Sequence, residues 1–131
     1  MELSERKLKI LAAIVNTYVE TGEPVGSKLL ALELGVSSAT IRNEMANLVE
    51  MGYLQQPHTS AGRIPSQKGY RIYIDRLMPA AEITEEEQKY LDGMLMVNAY
   101  DPDKLLSCVS QLLANTSKFA AVSSRRPSGL R

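Results

Sequence analysis

The chain has 131 residues, with fifteen Lys and Arg, fifteen Asp and Glu and a formal net charge of zero. This length allows one domain, or one small domain and a fragment of another. No uninterrupted apolar stretch approaches membrane-spanning length, and no secretion signal is recognisable, so we expect a cytoplasmic protein. The single cysteine, Cys108, excludes an internal disulfide and lacks partners for a metal site. We expect it to be a buried thiol.

Three helices are predicted in the first fifty residues. The first runs from Ser4 to Thr21, and its apolar face consists of Leu8, Leu11, Ala12, Val15, Tyr18 and Val19. A short second helix has Ser27 as its expected N-cap and ends at Gly35, which can adopt the left-handed conformation that stops a helix. About three residues later, Ser37 can cap a third helix. This spacing is typical of a helix-turn-helix.

The third helix, Ser38–Met51, is predicted to be a DNA recognition helix. Its apolar stripe consists of Ile41, Met45, Leu48 and Val49. The opposite side carries Ala39, Asn43, Ala46, Asn47 and Glu50, with Thr40 and Arg42 on its flanks. Asn can form two hydrogen bonds to adenine, Arg can do so to guanine, and Thr or Ala can touch a thymine methyl. On its own this pattern favours an ordinary solvated helix, but the neighbouring elements favour DNA recognition.

A short β-hairpin is predicted to follow as a wing. Its strands are Tyr53–Gln56 and Arg63–Pro65, joined by a turn-rich segment, and its proline restricts the second strand to an edge. No acidic residue lies between Glu50 and Asp75, whereas Arg63, Lys68 and Arg71 do. Cations without neighbouring carboxylates suit contacts to phosphate, although an ordinary solvated loop is the alternative. Together with the three helices, the hairpin predicts a winged helix-turn-helix that binds duplex DNA.

The candidate DNA-binding residues fall into three groups. Those on the recognition helix, expected to contact bases and adjacent phosphates, are Ser38, Thr40, Arg42, Asn43 and Asn47. Those on the wing, expected to reach the flanking backbone or the minor groove, are His58, Thr59 and Arg63. Those expected to contact phosphate or frame the site are Lys28, Lys68 and Arg71.

The second half of the chain changes in character. A fourth helix is predicted from near Ser66 to Met78, and a boundary at 78–81 separates a DNA-binding domain, residues 1–78, from residues 79–131. The spacing of Thr84 and Glu87 predicts a capping box for a helix over 85–97. Asp101 is expected to cap a further helix over 102–114. Residues 118–122 are predicted to form a strand without partners, and residues 123–131 a disordered basic tail.

Two segments of the sequence resemble a known protein family. VSSATIRNEMANLVEMGYL and HTSAGRIPSQKGYRIYIDRL are similar to the N-terminal domain of the bacterial heat-inducible transcription repressor family HrcA, over about residues 2–78. The resemblance implies a repressor that binds a long inverted-repeat operator upstream of chaperone operons, forms a homodimer and depends on the GroE chaperonin. Residues 79–131 resemble the helical linker and the opening of a GAF-like dimerisation domain. We therefore expect a mainly α, truncated repressor that forms the homodimer only if the second domain is complete.

The sequence argues against two other classes of function. The chain has no Gly-rich phosphate loop, no paired catalytic carboxylates and one histidine, so we expect neither an enzyme nor a bound cofactor. A winged helix can also mediate protein–protein contacts, but that use requires an apolar outer face on the recognition helix, and this face is polar. A winged-helix regulator of a different operator is the remaining alternative.

Overall fold

The computed structural model describes residues 3–58, 61–77 and 84–114. The helices are α1 (Glu5–Thr21), α2 (Ser27–Leu34), α3 (Ser38–Glu50), α4 (Gln67–Ile72), α5 (Glu85–Val97) and α6 (Pro102–Ala114), and the strands are β1 (Leu54–Gln55) and β2 (Ile64–Pro65). A π-helical turn, Tyr73–Leu77, continues α4. This architecture confirms the predicted mainly α, winged helix-turn-helix fold. The predicted boundary at 78–81, the strand over 118–122 and the tail over 123–131 lie outside the described residues.

Local capping sets the ends of the helix-turn-helix. Ser37 Oγ accepts a hydrogen bond from the Thr40 N–H at 3.1 Å, as predicted for the start of α3. Gly35 ends α2 with φ 68°, in the left-handed region that glycine adopts at little cost. The prediction of Ser27 as an N-cap is wrong, because Ser27 is the first helical residue. The N-cap is Gly26, which has no side chain to satisfy the free N–H groups of the first turn.

The core is built around α1. Of its predicted apolar face, Leu11, Val15 and Tyr18 are buried, whereas Leu8, Ala12 and Val19 are only partly buried. Ile10 and Ile14, which the predicted face omitted, are fully buried. The physical reason is that α1 contacts α2 and α3, the wing strand β2, and α4 and α6. A helix surrounded in this way buries a wider arc than one that packs on a single neighbour.

The wing is a minimal antiparallel hairpin with a second attachment on the turn side of its ladder. Leu54 pairs with Pro65 and Gln55 with Ile64, so the ladder is shorter than the predicted strands. Next to it, Val25 in the α1–α2 connection and Arg63 exchange two backbone hydrogen bonds of 2.9 Å each. The wing is thus held by the helices as well as by its own ladder.

The two helices after the wing form a hairpin that packs on the same core. Thr84 Oγ1 accepts the Glu87 N–H at 3.1 Å and a Glu87 carboxylate oxygen accepts the Thr84 N–H at 3.0 Å, which confirms the predicted capping box. The bounds of α5 and α6 match the predicted ranges. Both helices contact α4, and α6 also contacts α1. Their inward side chains join one continuous apolar cluster with those of α1 and α3: Leu91, Leu95, Leu105, Val109, Leu112 and Leu113.

Cys108 lies at the edge of this hairpin. Its side chain is partly buried, so the prediction of a buried thiol is wrong. The residue lines a cleft of about 250 Å³ between α5 and α6 instead of facing the core. Desolvation raises the pKa of the thiol, and the nearby Lys104 opposes that shift. No helix in the described part of the chain is long and apolar enough to cross a membrane.

Candidate nucleic-acid interface

The outer face of α3 presents polar groups to solvent. Arg42 and Asn43 are exposed, and Ser38, Thr40 and Asn47 are partly buried. On the other side Ile41, Met45 and Leu48 are buried and anchor the helix to the core. Because the apolar stripe faces inward, the amide of Asn43 and the guanidinium of Arg42 are free to approach a ligand from the outside.

The first turn of α3 orders several of the predicted residues. Ser37 Oγ donates to Thr40 Oγ1 at 2.9 Å, and Arg42 Nη1 donates to Ser38 Oγ at 3.3 Å. The Thr40 hydroxyl still has its own proton to donate, and the remaining guanidinium N–H groups of Arg42 are available to an acceptor. This turn therefore offers hydroxyl and guanidinium donors side by side.

Glu44 is the carboxylate in the middle of α3, and it turns away from the outer face. One of its oxygens lies 2.9 Å from Lys7 Nζ and the other 3.5 Å from Arg6 Nη1, both on α1. Only 13% of the Glu44 side chain is exposed. The other carboxylate of α3, Glu50, is exposed at the last helical residue. The central part of the outer face thus carries no free negative charge to repel phosphate.

The Arg63 side chain bonds to backbone carbonyls on the turn side of the wing. Arg63 Nη1 donates to the Ala61 carbonyl at 2.5 Å and approaches the Gly62 carbonyl at 3.4 Å. Gly62 is buried against the α1–α2 connection, where an added Cβ would lie 2.8 Å from the Pro24 carbonyl carbon. His58 is exposed, and Thr59 lies outside the described residues. Arg63 therefore shapes the turn from within while keeping its positive charge at the wing.

Two of the predicted framing cations have partners inside the chain. Lys68 Nζ donates to the Met51 carbonyl at 3.0 Å and lies 4.6 Å from the centre of the Tyr53 ring. Arg71 Nη1 forms an ion pair with Asp92 of α5 at 3.1 Å. Lys28, by contrast, is exposed on α2. The structure thus gives Lys68 and Arg71 structural contacts that charge counting did not predict.

Sequence reasoning missed the residues that join the wing and α3 to the rest of the molecule. Val25 and Gly62 hold the turn side of the wing, and Lys7 and Arg6 hold Glu44. Each of these contacts joins segments far apart in the chain, and no local pattern marks its members. Within the described ranges, no three His, Cys, Asp or Glu side chains group closely enough to hold a metal ion.

Comparison with known proteins gives a consistent assignment. Residues 2–76 match the family model of the winged helix-turn-helix transcription repressor, HrcA DNA-binding. The chain is 52% identical over 124 residues to the heat-inducible transcription repressor HrcA of Acetivibrio thermocellus, and 93% of this chain and 35% of that protein are covered. For the proteins of the same name from Clostridium acetobutylicum and Moorella thermoacetica, the identities are 51% and 50%, covering 93% of this chain and 36% of each relative.

The chain is also similar to a solved structure. The crystal structure of a hypothetical protein at 2.2 Å resolution matches with a TM-score of 0.53 and 41% sequence identity, over 73% of this chain and 32% of that one. The chain spans about a third of the length of the curated relatives it matches. It belongs to the HrcA family, and the matched residues form that family's winged helix-turn-helix DNA-binding domain.

Proposed function

We propose that this chain binds duplex DNA as the reading part of a heat-inducible transcription repressor. The observation that carries the proposal is the outer face of α3, where Arg42 and Asn43 are exposed while the Glu44 carboxylate is drawn onto α1. A helix of this kind can enter the major groove without placing a central carboxylate against the phosphates. The names of the relatives support the same function.

In this proposal, some α3 side chains contact base edges and others contact the DNA backbone. Asn43 and Asn47 read base edges, since an amide can donate to and accept from adenine at once. Arg42 reads guanine or binds an adjacent phosphate, and Ser38 and Thr40 supply hydroxyl donors to the backbone. From the wing, His58, Thr59 and Arg63 contact the flanking backbone or the minor groove. Outside α3 and the wing, Lys28, Lys68 and Arg71 contact phosphate or frame the site.

Repression would then follow from occupancy of the operator. Two copies would place two α3 helices on the halves of an inverted repeat, because the symmetry of such a site mirrors that of a dimer. This proposal also includes three expectations from the sequence: a homodimer, the GroE chaperonin as a further partner, and a cytoplasmic location.

The test is to select duplexes from a randomised pool with the full chain and then to titrate the recovered inverted repeat and its half-site at two salt concentrations. Cooperative binding that depends on the repeat is the expected result. Weak binding of equal affinity to the repeat and to the half-site would support DNA binding by the chain but would contradict the proposed dimer. Failure to enrich any duplex would overturn the proposal and favour a protein-contact module.

A further inference from the structure

The N-terminal turn of α1 lies against the flank of α3. The carboxylate of Glu44 there faces two cations, with Lys7 Nζ at 2.9 Å and Arg6 Nη1 at 3.5 Å. Glu44 directly follows Asn43, so its side chain leaves the helix about 100° around the axis from that amide. The two cations are therefore placed beside the surface that α3 presents to solvent, at its edge.

The three charges do not cancel. One carboxylate faces two cations, which leaves this group of three side chains with a net charge of +1. Lys7 makes the shorter contact, and its side chain is 14% exposed, so it acts as the enclosed partner of Glu44. Arg6 makes the longer contact, and its side chain is 58% exposed. Its guanidinium has five N–H donors, and a single contact of 3.5 Å to one carboxylate oxygen leaves most of them for another acceptor.

We propose that Arg6 is a further DNA-binding residue, which Glu44 holds at the flank of α3 so that its guanidinium binds a backbone phosphate. The inference rests on the proposed DNA-binding function. When a helix lies in the major groove, its flanks face the sugar–phosphate backbone, and cations there fix the position of the protein on the duplex. The contact is independent of base sequence, because the ligand is phosphate.

The experiment measures how the affinity of the full chain for a labelled duplex of mixed sequence, about two helical turns long, depends on salt concentration. Each phosphate contact contributes about 0.9 to the slope of log K against log salt concentration. Arg6→Ala is expected to lower the magnitude of that slope by about 0.9. Arg6→Lys is expected to restore it, because the charge is kept. Lys104→Ala removes another exposed cation, on α6, and is expected to leave the slope unchanged.

The outcomes separate this inference from the function on which it rests. A slope that Arg6→Ala leaves unchanged, or that Lys104→Ala lowers equally, overturns the role of Arg6 while DNA binding by the parent chain stands. A parent chain that binds no duplex overturns the proposed function itself. Far-UV circular dichroism verifies that each variant is folded, and Arg6→Gln, which keeps most of the aliphatic stem, repeats the measurement if Arg6→Ala unfolds.

Discussion

The hydroxyl of Ser66 donates a hydrogen bond of 2.5 Å to the carbonyl of Gly52, and this contact ties the start of α4 to the end of the recognition helix. The same oxygen accepts the Gly69 N–H at 3.1 Å as the N-cap of α4. The Ser66 N–H in turn donates to the Tyr53 carbonyl at 3.1 Å. One buried serine thus closes the wing at its base, where the chain leaves α3 and where it returns.

Replacing Ser66 with alanine should destabilise the protein. The change removes a helix cap and leaves the partly buried Gly52 carbonyl without its donor, and caps alone are worth about 0.5–2 kcal/mol. We expect a loss of about 1–2 kcal/mol in the free energy of unfolding, measured with urea. Ser107→Ala, at an exposed position on α6, is the control and should change stability by less than about 0.5 kcal/mol. Equal effects of the two changes would contradict the role of Ser66.

Gly69 and Gly93 offer a paired test of packing between α4 and the wing. A Cβ at Gly69 would collide with the backbone carbonyl oxygen of Tyr53, whereas a Cβ at Gly93 in α5 would meet no atom within 4 Å. Gly69→Ala should therefore lower the free energy of unfolding by about 1–3 kcal/mol or more. Gly93→Ala should raise it by about 0.5–1 kcal/mol, since alanine restricts the unfolded chain. Thermal unfolding of both variants gives the comparison, and shifts of the same sign would refute it.

The buried Tyr73 predicts loss of stability at alkaline pH. Desolvation raises the pKa of its hydroxyl from 10.0 to about 12, and that hydroxyl donates to Asn16 Oδ1. The folded state therefore holds the proton more tightly than the unfolded state. The stabilisation is complete below pH 10 and is lost as the pH rises from 10 through 12.

Tyr73→Phe should reduce this alkaline dependence. It should not abolish it, because burial also raises the pKa of Tyr70 and of Tyr18. At neutral pH the variant should lose about 1 kcal/mol through the missing hydrogen bond. Urea unfolding at a series of pH values checks both expectations. A pH profile identical to that of the parent chain would show that Tyr73 does not titrate as described.

Asn43→Ala tests direct reading of a base. The exposed amide should contribute about 1–3 kcal/mol at one base pair of the preferred duplex and much less on mixed sequence. Fluorescence anisotropy with both duplexes gives the two affinities. Gln111→Ala removes an exposed amide from α6 and is the control that should leave both unchanged. An equal loss on both duplexes would assign Asn43 to the phosphate backbone instead.

The features that could be predicted from sequence depend on neighbours in the chain. The Ser37 cap, the left-handed Gly35 and the Thr84–Glu87 capping box each need only a few consecutive residues, and all three are present. The prediction of Ser27 as the N-cap was wrong because several residues near the start of a helix can act as the N-cap. Local preference does not choose among them. In α2 the predicted and observed starts therefore differ by one residue.

The contacts of the charged side chains could not be predicted in the same way. Composition showed that Lys68 and Arg71 lie in a segment without acids, but Lys68 binds the Met51 carbonyl and Arg71 binds Asp92 from a later helix. Only the fold brings Lys7 to Glu44. Charge patterns indicate which surface attracts phosphate, whereas the fold decides which cations already have a partner.

The packing of α6 against α1 has a consequence for how the molecule unfolds. These helices lie near opposite ends of the described chain, and their buried side chains belong to one apolar cluster. Neither helix can unfold without exposing the apolar side chains of the other to water. The described part of the chain should therefore unfold in a single cooperative transition. A duplex bound at α3 would then protect α5 and α6 from unfolding as well, although it touches neither.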